Sequence, residues 1–545
     1  MSRKILFTDN NKVKVNNFDK LYLVAKNRET ENNENIILID YYKYFMEAHR
    51  TTRQINNKIY LIINEDKYNT INNALLATIL KSSDKELFLI VRMLLIVKDY
   101  SNKNDKIMVD MDNSSLLKPV SQLLQFPFKI TVVKKRKIFT TIKNNYKYLL
   151  ALPILLCNSF FIKKRNEKII FFLWNDSVSY EFAKPYLDDN LMLYPFFTRG
   201  FYIKKVKYEN SNYIKFNFIV FRELLSLIKR YIRNKKNIQQ IKIDENIKKL
   251  FNSKLLSIEL SSSIVLSLYS KFPNLKNIIG LFDANNYIDY ITYNLNTIYN
   301  VKTICIPHGI NFKYKVNYIS YGVNQYTFWS SKHLETMKKN LVFKNQETDL
   351  TITGNIVYNK MVKSKCNNLS NFKNILVIGE YFPKDDFYTS AFNEKVSKKF
   401  FEILKEFVVK HKDVKITVRT RLNDEYSKLA NKYCSKRFII SNSNENLINQ
   451  VCAHDLIISV FSNVLHEALL LEKKVLQVNL LEIENYRNLA EEKLVYYANT
   501  EVKFKEYLEK WYLNELNELN YSKHLENYAN NGLFEKLTLG KGLKC

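Results

Sequence analysis

The stretch DLIISVFSNVLHEALLLEKKVLQVN, residues 455–479, holds the densest chemistry in this chain. An apolar run ends at Ser459, a short loop carries Ser462 and Asn463, and a helical pattern follows. Ser and Asn cap helices well because their side chains accept a hydrogen bond from the first unpaired N–H groups. A helix that starts beyond the carboxyl end of a parallel strand offers N–H groups and the positive end of its dipole to a phosphate. Glu467, one turn further on, is placed to accept hydrogen bonds from sugar hydroxyls. An ordinary capped helix reads the same way, so the pattern needs support from elsewhere.

Other strand ends supply it. In LTITGNIVYNKM, 350–361, a strand closes on Gly354 and Asn355, and a glycine there lets the backbone approach a ligand. In VKITVRTRLNDEY, 414–426, Arg419 and Arg421 alternate and so share one strand face. Two guanidinium groups on one face suit phosphate oxygens, although a solvated strand end would look alike. TICIPHG, 303–309, ends in His308 and Gly309. Histidine titrates near neutrality, so it can take a proton from a hydroxyl or hold a phosphate. Gly309 permits a sharp turn there, and Lys313 follows with a further positive charge. NIIGLFD, 277–283, ends in Asp283, a candidate base or simply a helix cap, and Asp289 follows on a helical stretch. Either Asp could orient His308. IMVDMDN carries Asp110 and Asp112, an Asp-x-Asp of the kind that holds a divalent ion against a diphosphate, but such triplets arise often by chance.

The elements that must position these residues are short apolar runs without strict alternation, the mark of strands buried on both faces. They include KLYLVAK (20–26), NIILID (35–40), KIYLIIN (58–64), ELFLIVRMLLIVKDY (86–100) and DKIMVDMD (105–112). KIIFFLW (168–174), YTFWSS (326–331), NILVIGE (374–380), RFIIS (437–441) and KVLQVN (474–479) continue the series. Helical stretches such as NEKVSKKFFEILKEFVVKHK (393–412) separate them. Strand, helix, strand in series predicts an α/β fold of parallel sheets with crossover helices. The expected division is residues 1–164 as an α/β extension or part of the next domain, 165–335 and 345–500 as two α/β domains, and 501–545 as a helical tail.

Composition narrows the partners. Only 9 glycines occur in 545 residues, so a retained glycine marks a backbone need; Gly280, Gly309, Gly322, Gly354 and Gly379 crowd one stretch. A formal charge of +30 suits an anionic partner, whether a membrane surface, nucleic acid or a phosphorylated substrate, with part of it owed to the lysine-rich codons of an AT-rich genome. No RNA-binding signature, zinc finger or arginine-rich tail points to nucleic acid. The 6 cysteines show no paired spacing and read as free thiols of a reducing cytoplasm. The start MSRKILFTDNN lacks the apolar run of a signal peptide. YLLALPILLCNSFFI, 148–162, is too short and broken to span a bilayer, yet basic clusters at 134–137 and 163–165 flank it. It reads either as an interfacial anchor or as a core helix with solvated ends.

Taken together, PHGI, then TITGN, then an Arg-bearing strand, then DLIIS-x-x-SN-x-x-x-EAL-x-x-x-KKVLQV resemble the GT-B glycosyltransferases across roughly residues 277–480. The bacterial branch that builds capsules and surface carbohydrates is the most similar, with its relatives the teichoic-acid glycerophosphotransferases and the UDP-N-acetylglucosamine 2-epimerases. That resemblance implies two Rossmann-like domains facing a cleft. It places Ser459, Ser462, Asn463 and Glu467 along a donor's phosphate and ribose and Gly354 and Asn355 near the hinge; in such a cleft His308 would face the reactants, and Asp283, if not a helix cap, would border the same cleft as a catalytic candidate. Where many relatives carry an Arg-Pro-His-Pro motif this chain has RTRLND, so Arg421 stands in for the histidine. Glu467 and Glu472 lack the glutamate spacing of the retaining subclass, which leans towards inversion. The expected function is transfer of a sugar from a nucleotide-sugar to a hydroxyl of a surface glycan or glycolipid, with no cofactor or metal required. The expected place is the cytoplasm, peripheral on the inner membrane face. Glycerophosphate transfer or epimerisation on the same fold, and an inactive basic scaffold, remain alternatives.

Overall fold

The computed structural model describes residues 4–8, 20–25, 36–40, 44–65, 71–102, 104–111, 113–132, 140–173, 191–195, 217–280, 288–307, 323–339, 348–354, 366, 373–379, 394–420, 425–441, 445–460, 462–480 and 488–519. These residues build three parallel sheets. The first contains β1 (Lys4–Thr8), β2 (Lys20–Ala25), β3 (Ile36–Asp40), β4 (Lys106–Asp110) and β5 (Ile130–Val132), in the order β3-β2-β1-β4-β5. Its helices are α1 (Phe45–Glu65), α2 (Asn73–Tyr100) and α3 (Leu117–Leu123), and α4 (Thr140–Phe161) leads onward.

The second sheet takes β6 (Ile169–Leu173), β7 (Leu191–Pro195), β8 (Asn277–Gly280), β9 (Lys302–Cys305), β10 (Gln325–Phe328) and β11 (Asp349–Ile352), ordered β11-β10-β9-β8-β6-β7. Between its strands run α5 (Phe221–Gln240), α6 (Glu245–Lys271), α7 (Ile288–Tyr299) and α8 (Ser331–Lys339). The third contains β12 (Lys373–Ile378), β13 (Val414–Arg419), β14 (Phe438–Ser441), β15 (Leu456–Ser459), β16 (Lys474–Val478) and β17 (Tyr496–Ala498). Its order, β14-β13-β12-β15-β16-β17, is the doubly wound 3-2-1-4-5-6 pattern. The helices here are α9 (Glu394–Lys410), α10 (Glu425–Asn431), α11 (Leu447–Cys452), α12 (Asn463–Leu470), α13 (Asn488–Glu491) and α14 (Glu501–Tyr512). The α/β class is as expected, and the second and third sheets supply the two Rossmann-like units that the GT-B resemblance implies.

Two apolar runs expected as strands are helical instead. KIYLIIN is the end of α1, whose buried residues Ala48, Thr52, Ile55, Ile59 and Ile63 recur at helical spacing. Residues 86–100 belong to α2, which is sandwiched between the first sheet's core and α6 and α7, so apolar residues occupy most of its circumference. A helix buried on nearly all sides has no amphipathic period to betray it.

The core of the first sheet does not stop at its own elements. Ile5, Phe7, Leu87 and Val109 pack in one cluster with Ile238 of α5, Leu250, Phe251 and Leu255 of α6 and Tyr290 of α7. Buried Lys81 of α2 forms an ion pair with fully buried Asp289 of α7. Asp289 is therefore a structural partner of the first unit. α14 closes the third unit by burying Phe504, Leu508 and Trp511 in its core. Cys366, in the segment joining the last two sheets, is disulfide-bonded to Cys452 of α11 across 86 residues of sequence. This corrects the expectation of free thiols; that separation hides the pair from spacing arguments. Among the described residues, Cys157, Cys305 and Cys434 form no disulfide.

Candidate active site

In a doubly wound sheet, ligands bind beyond the carboxyl ends of the strands where the strand order reverses. In the third sheet that point lies between β12 and β15. Ile378 ends β12 beside Arg419 of β13, and Ser459 ends β15 beside Gln477 of β16. Arg419 and Ser459 thus flank β12 on either side, two strand spacings apart, or ~10 Å. Gly379 follows β12 and donates its N–H to Arg419 O at 2.8 Å. A Cβ at Gly379 would meet Tyr426 Cδ1 at 2.9 Å and Arg419 O at 3.0 Å, so this glycine is required by close packing.

The helix start expected at Ser462 is present. Ser462 has extended backbone and caps α12, accepting from Val464 N–H at 3.3 Å, and Asn463 is the first helical residue. Ser459 sits deeper: its buried hydroxyl donates to Ile378 O at 3.2 Å and ties β15 to β12. Glu467 stands one turn into α12. Its Oε2 is sealed from solvent and has no hydrogen-bond partner, although the residue as a whole keeps some contact with solvent. Burial pushes this carboxyl up to about 7, against the opposing pull of the Arg419 guanidinium.

Arg419 is half-buried, and desolvation lowers its proton affinity while Glu445 and Glu467 raise it. Its Nη1 donates to Glu445 O at 2.9 Å and to the side-chain oxygen of Gln450. Gln450 in turn donates to the Glu445 carboxylate. Sequence reasoning missed Gln450 and Glu445. They lie on and just before the short helix α11, in a polar stretch that no periodicity singles out. This bracing fixes the direction of Arg419, a residue that spacing alone had located.

The second sheet carries the other candidate residues. Gly280 and Cys305 pair in register, and Ile306 N–H donates to Gly280 O at 2.9 Å. The segments that carry Asp283 and His308 therefore leave neighbouring strands at the same end. Asp283, His308, Gly309 and Lys313 themselves lie outside the described residues, as do Asn355, Arg421 and Asp112. Gly354 follows edge strand β11 with a φ of 71°, a left-handed conformation that favours glycine. Lys332 of α8 and Glu492, just after α13, form an ion pair at 2.5 Å that joins the second unit to the third. Asp110 is buried at the end of β4 in the first sheet. Among the described residues no cluster of three or more His, Cys, Asp or Glu could hold a metal ion.

No family model matches the chain, and no curated protein matches it in sequence. Solved structures do show likeness. The S. aureus MnaA–UDP co-structure matches with a TM-score of 0.41 and 11% identity, over 67% of this chain and 92% of that one. The wall teichoic acid polymerase TagF matches at 0.37 and 11%, over 72% and 94%. A UDP-forming α,α-trehalose-phosphate synthase from Burkholderia vietnamiensis matches at 0.39 and 8%, over 67% and 93%. At such scores the likeness assigns no activity, and the functional reading rests on the residues of this chain.

Proposed function

We propose that the protein is a nucleotide-sugar-dependent glycosyltransferase that works on a surface glycan or glycolipid at an anionic membrane. The observation that carries this reading is the sealed, unpartnered carboxyl oxygen of Glu467 beside the Ser462-capped start of α12, at the reversal point of a doubly wound sheet. A buried acceptor without a donor costs about 1–3 kcal/mol. Ribose or sugar hydroxyls from a bound nucleotide-sugar would relieve that cost.

In this reading the positive end of α12, with Ser462 and Asn463, takes the donor's phosphate, and braced Arg419 supplies a fixed positive charge beside it. Arg421, Asn355 and Gly354 complete the donor side. The acceptor hydroxyl attacks the anomeric carbon as the bond to the phosphate oxygen breaks. The hydroxyl proton passes to His308, with Asp283 as orienting group or alternative base, and the nucleotide leaves with the bonding pair. Inversion follows from a single displacement. Helix dipole and guanidinium charge stabilise the leaving group, so the scheme calls for no metal.

A thermal-shift screen against UDP-, CDP- and CMP-linked compounds tests this. A ligand at 100 times its dissociation constant stabilises by about 2.7 kcal/mol, and Glu467→Ala should abolish the shift. No shift with any nucleotide-sugar would favour an inactive scaffold, while stabilisation by a CDP-linked glycerol alone would favour glycerophosphate transfer.

A further inference from the structure

The buried face of helix α5 carries Leu227 and Ile238 together with Glu223, Arg230 and Asn234, and the polar three engage a network in the protein interior. Arg230 Nε donates to Glu259 Oε2 at 3.0 Å, Asn234 Nδ2 to Glu259 Oε1 at 2.6 Å, and Tyr290 Oη to the same oxygen at 2.9 Å. The opposite face is apolar and turned to solvent. Phe221 is 67% exposed and Ile232 62%, with Leu225 and Ile228 exposed between them. At 3.6 residues per turn these four lie within roughly 60° of one another, facing away from the buried side. Exposed Arg222, Lys229, Arg233 and Lys236 run along one edge of the strip, and Lys235 lies on the other.

Helix α4 also exposes an apolar strip. It packs on the core through Ala151 and Leu155, while Leu149, Leu150, Ile154, Phe160 and Phe161 are exposed. Phe160 and Phe161 are 84% and 73% exposed, and exposed Lys163, Lys164 and Arg165 follow directly. The two helices meet at one end of the second unit. Ile219 N–H donates to Leu155 O at 3.0 Å, Asn158 Nδ2 to Asn217 O at 2.8 Å, and Phe221 opens α5 two residues later. Both apolar strips thus start from the same corner. No described helix is long and apolar enough to cross a membrane.

We infer that α4 and α5 form a docking surface for an anionic phospholipid bilayer, with Phe160, Phe161, Phe221 and Ile232 inserted at the headgroup boundary. Apolar strips edged by lysine and arginine are what an anionic leaflet recognises, since apolar burial and charge attraction then act together. A protein partner would need its own acidic rim, and a second copy of this chain would bring like charge against like. The inference deepens the membrane placement proposed above and rests on it; it does not rest on the donor.

The test is co-sedimentation of the full chain with vesicles of phosphatidylcholine, and with vesicles containing phosphatidylglycerol. Wild type should bind the second kind, less as salt rises. Phe160→Ser with Phe161→Ser, and separately Ile228→Ser with Ile232→Ser, should each need roughly ten-fold more lipid. Lys229→Glu with Arg233→Glu should lose the preference for phosphatidylglycerol. Every replaced side chain is exposed, so the melting temperature should hold and report that the fold is intact. Variants that bind as wild type does would overturn the docking surface while leaving membrane association standing. Wild type that ignores both vesicles would overturn both. Light scattering that shows self-association lost in the serine variants, without vesicle binding, would assign the surface to a second copy and also overturn the inference. Nucleotide-sugar thermal shifts on the same variants should be unchanged, which keeps the donor reading separately testable.

Discussion

Arg419 and Glu467 sense each other across the carboxyl ends of the third sheet: the guanidinium lowers the proton affinity of the carboxyl, burial raises it, and burial prevails. Glu467 therefore titrates near neutrality, at about 7, with one carboxyl oxygen sealed and unpartnered.

Its effect on stability has a definite sign. The folded protein holds the Glu467 proton up to about 7, whereas the unfolded chain releases it near 4.5. The native state binds more protons in that window, so stability falls as pH rises through it, by about 3 kcal/mol in full. Glu467→Gln removes the titration. Its melting temperature should exceed that of wild type near pH 8 and lose that advantage at about pH 4. A difference that does not change with pH would refute the assignment.

Arg419→Ala should weaken nucleotide-sugar affinity by one to two orders of magnitude, since hydrogen bonds to charged groups contribute about 1.5–3 kcal/mol. Gln450→Ala should give a smaller loss, because Gln450 only positions the guanidinium. Titration calorimetry reads both. Equal losses would mean that Gln450 touches the donor itself.

Gly379→Ala drives a methyl group against the Arg419 carbonyl and the Tyr426 ring. Overpacking of this kind costs about 1–3 kcal/mol. The end of β13 moves with it, so donor affinity should fall together with melting temperature. Denaturant unfolding gives the first quantity and calorimetry the second.

Asp289 can be tested as a structural residue. Lys81→Met leaves a buried carboxylate without its ion-pair partner and should cost about 3–5 kcal/mol. The double change Lys81→Met with Asp289→Leu should recover most of that loss and keep donor binding. Loss of donor binding in the double variant at restored stability would return Asp289 to the reaction centre.

The Cys366–Cys452 bond predicts that two more of the 6 thiols titrate after reduction than before. Closing a loop across 86 residues stabilises by about 4–5 kcal/mol in the chain-entropy account, so Cys452→Ser should melt well below the oxidised protein. Identical melting of oxidised and reduced protein would count against the bond.

The strands that carry the candidate site were legible because each is a short apolar run closed by Gly, Ser, Asn or Arg. Ser462 as a cap was legible because capping needs a few residue types at one position. Helix α2 was not, since burial on almost every side erases its period. Gln450 and Cys366 were not, because each acts through a partner that only the strand order brings near. The depth of Ser459 was hidden for the same reason: which of two neighbouring serines turns inward depends on the adjoining strand.

The shared core of the first two units has a practical consequence. Leu250, Phe251 and Tyr290 lie far along the chain from the first sheet yet fill its interior. Residues 1–132 and residues 140–545, expressed together as two separate pieces, should therefore co-purify. The N-terminal piece expressed alone should aggregate through the surface those residues cover, and supplying residues 140–519 in trans should rescue it.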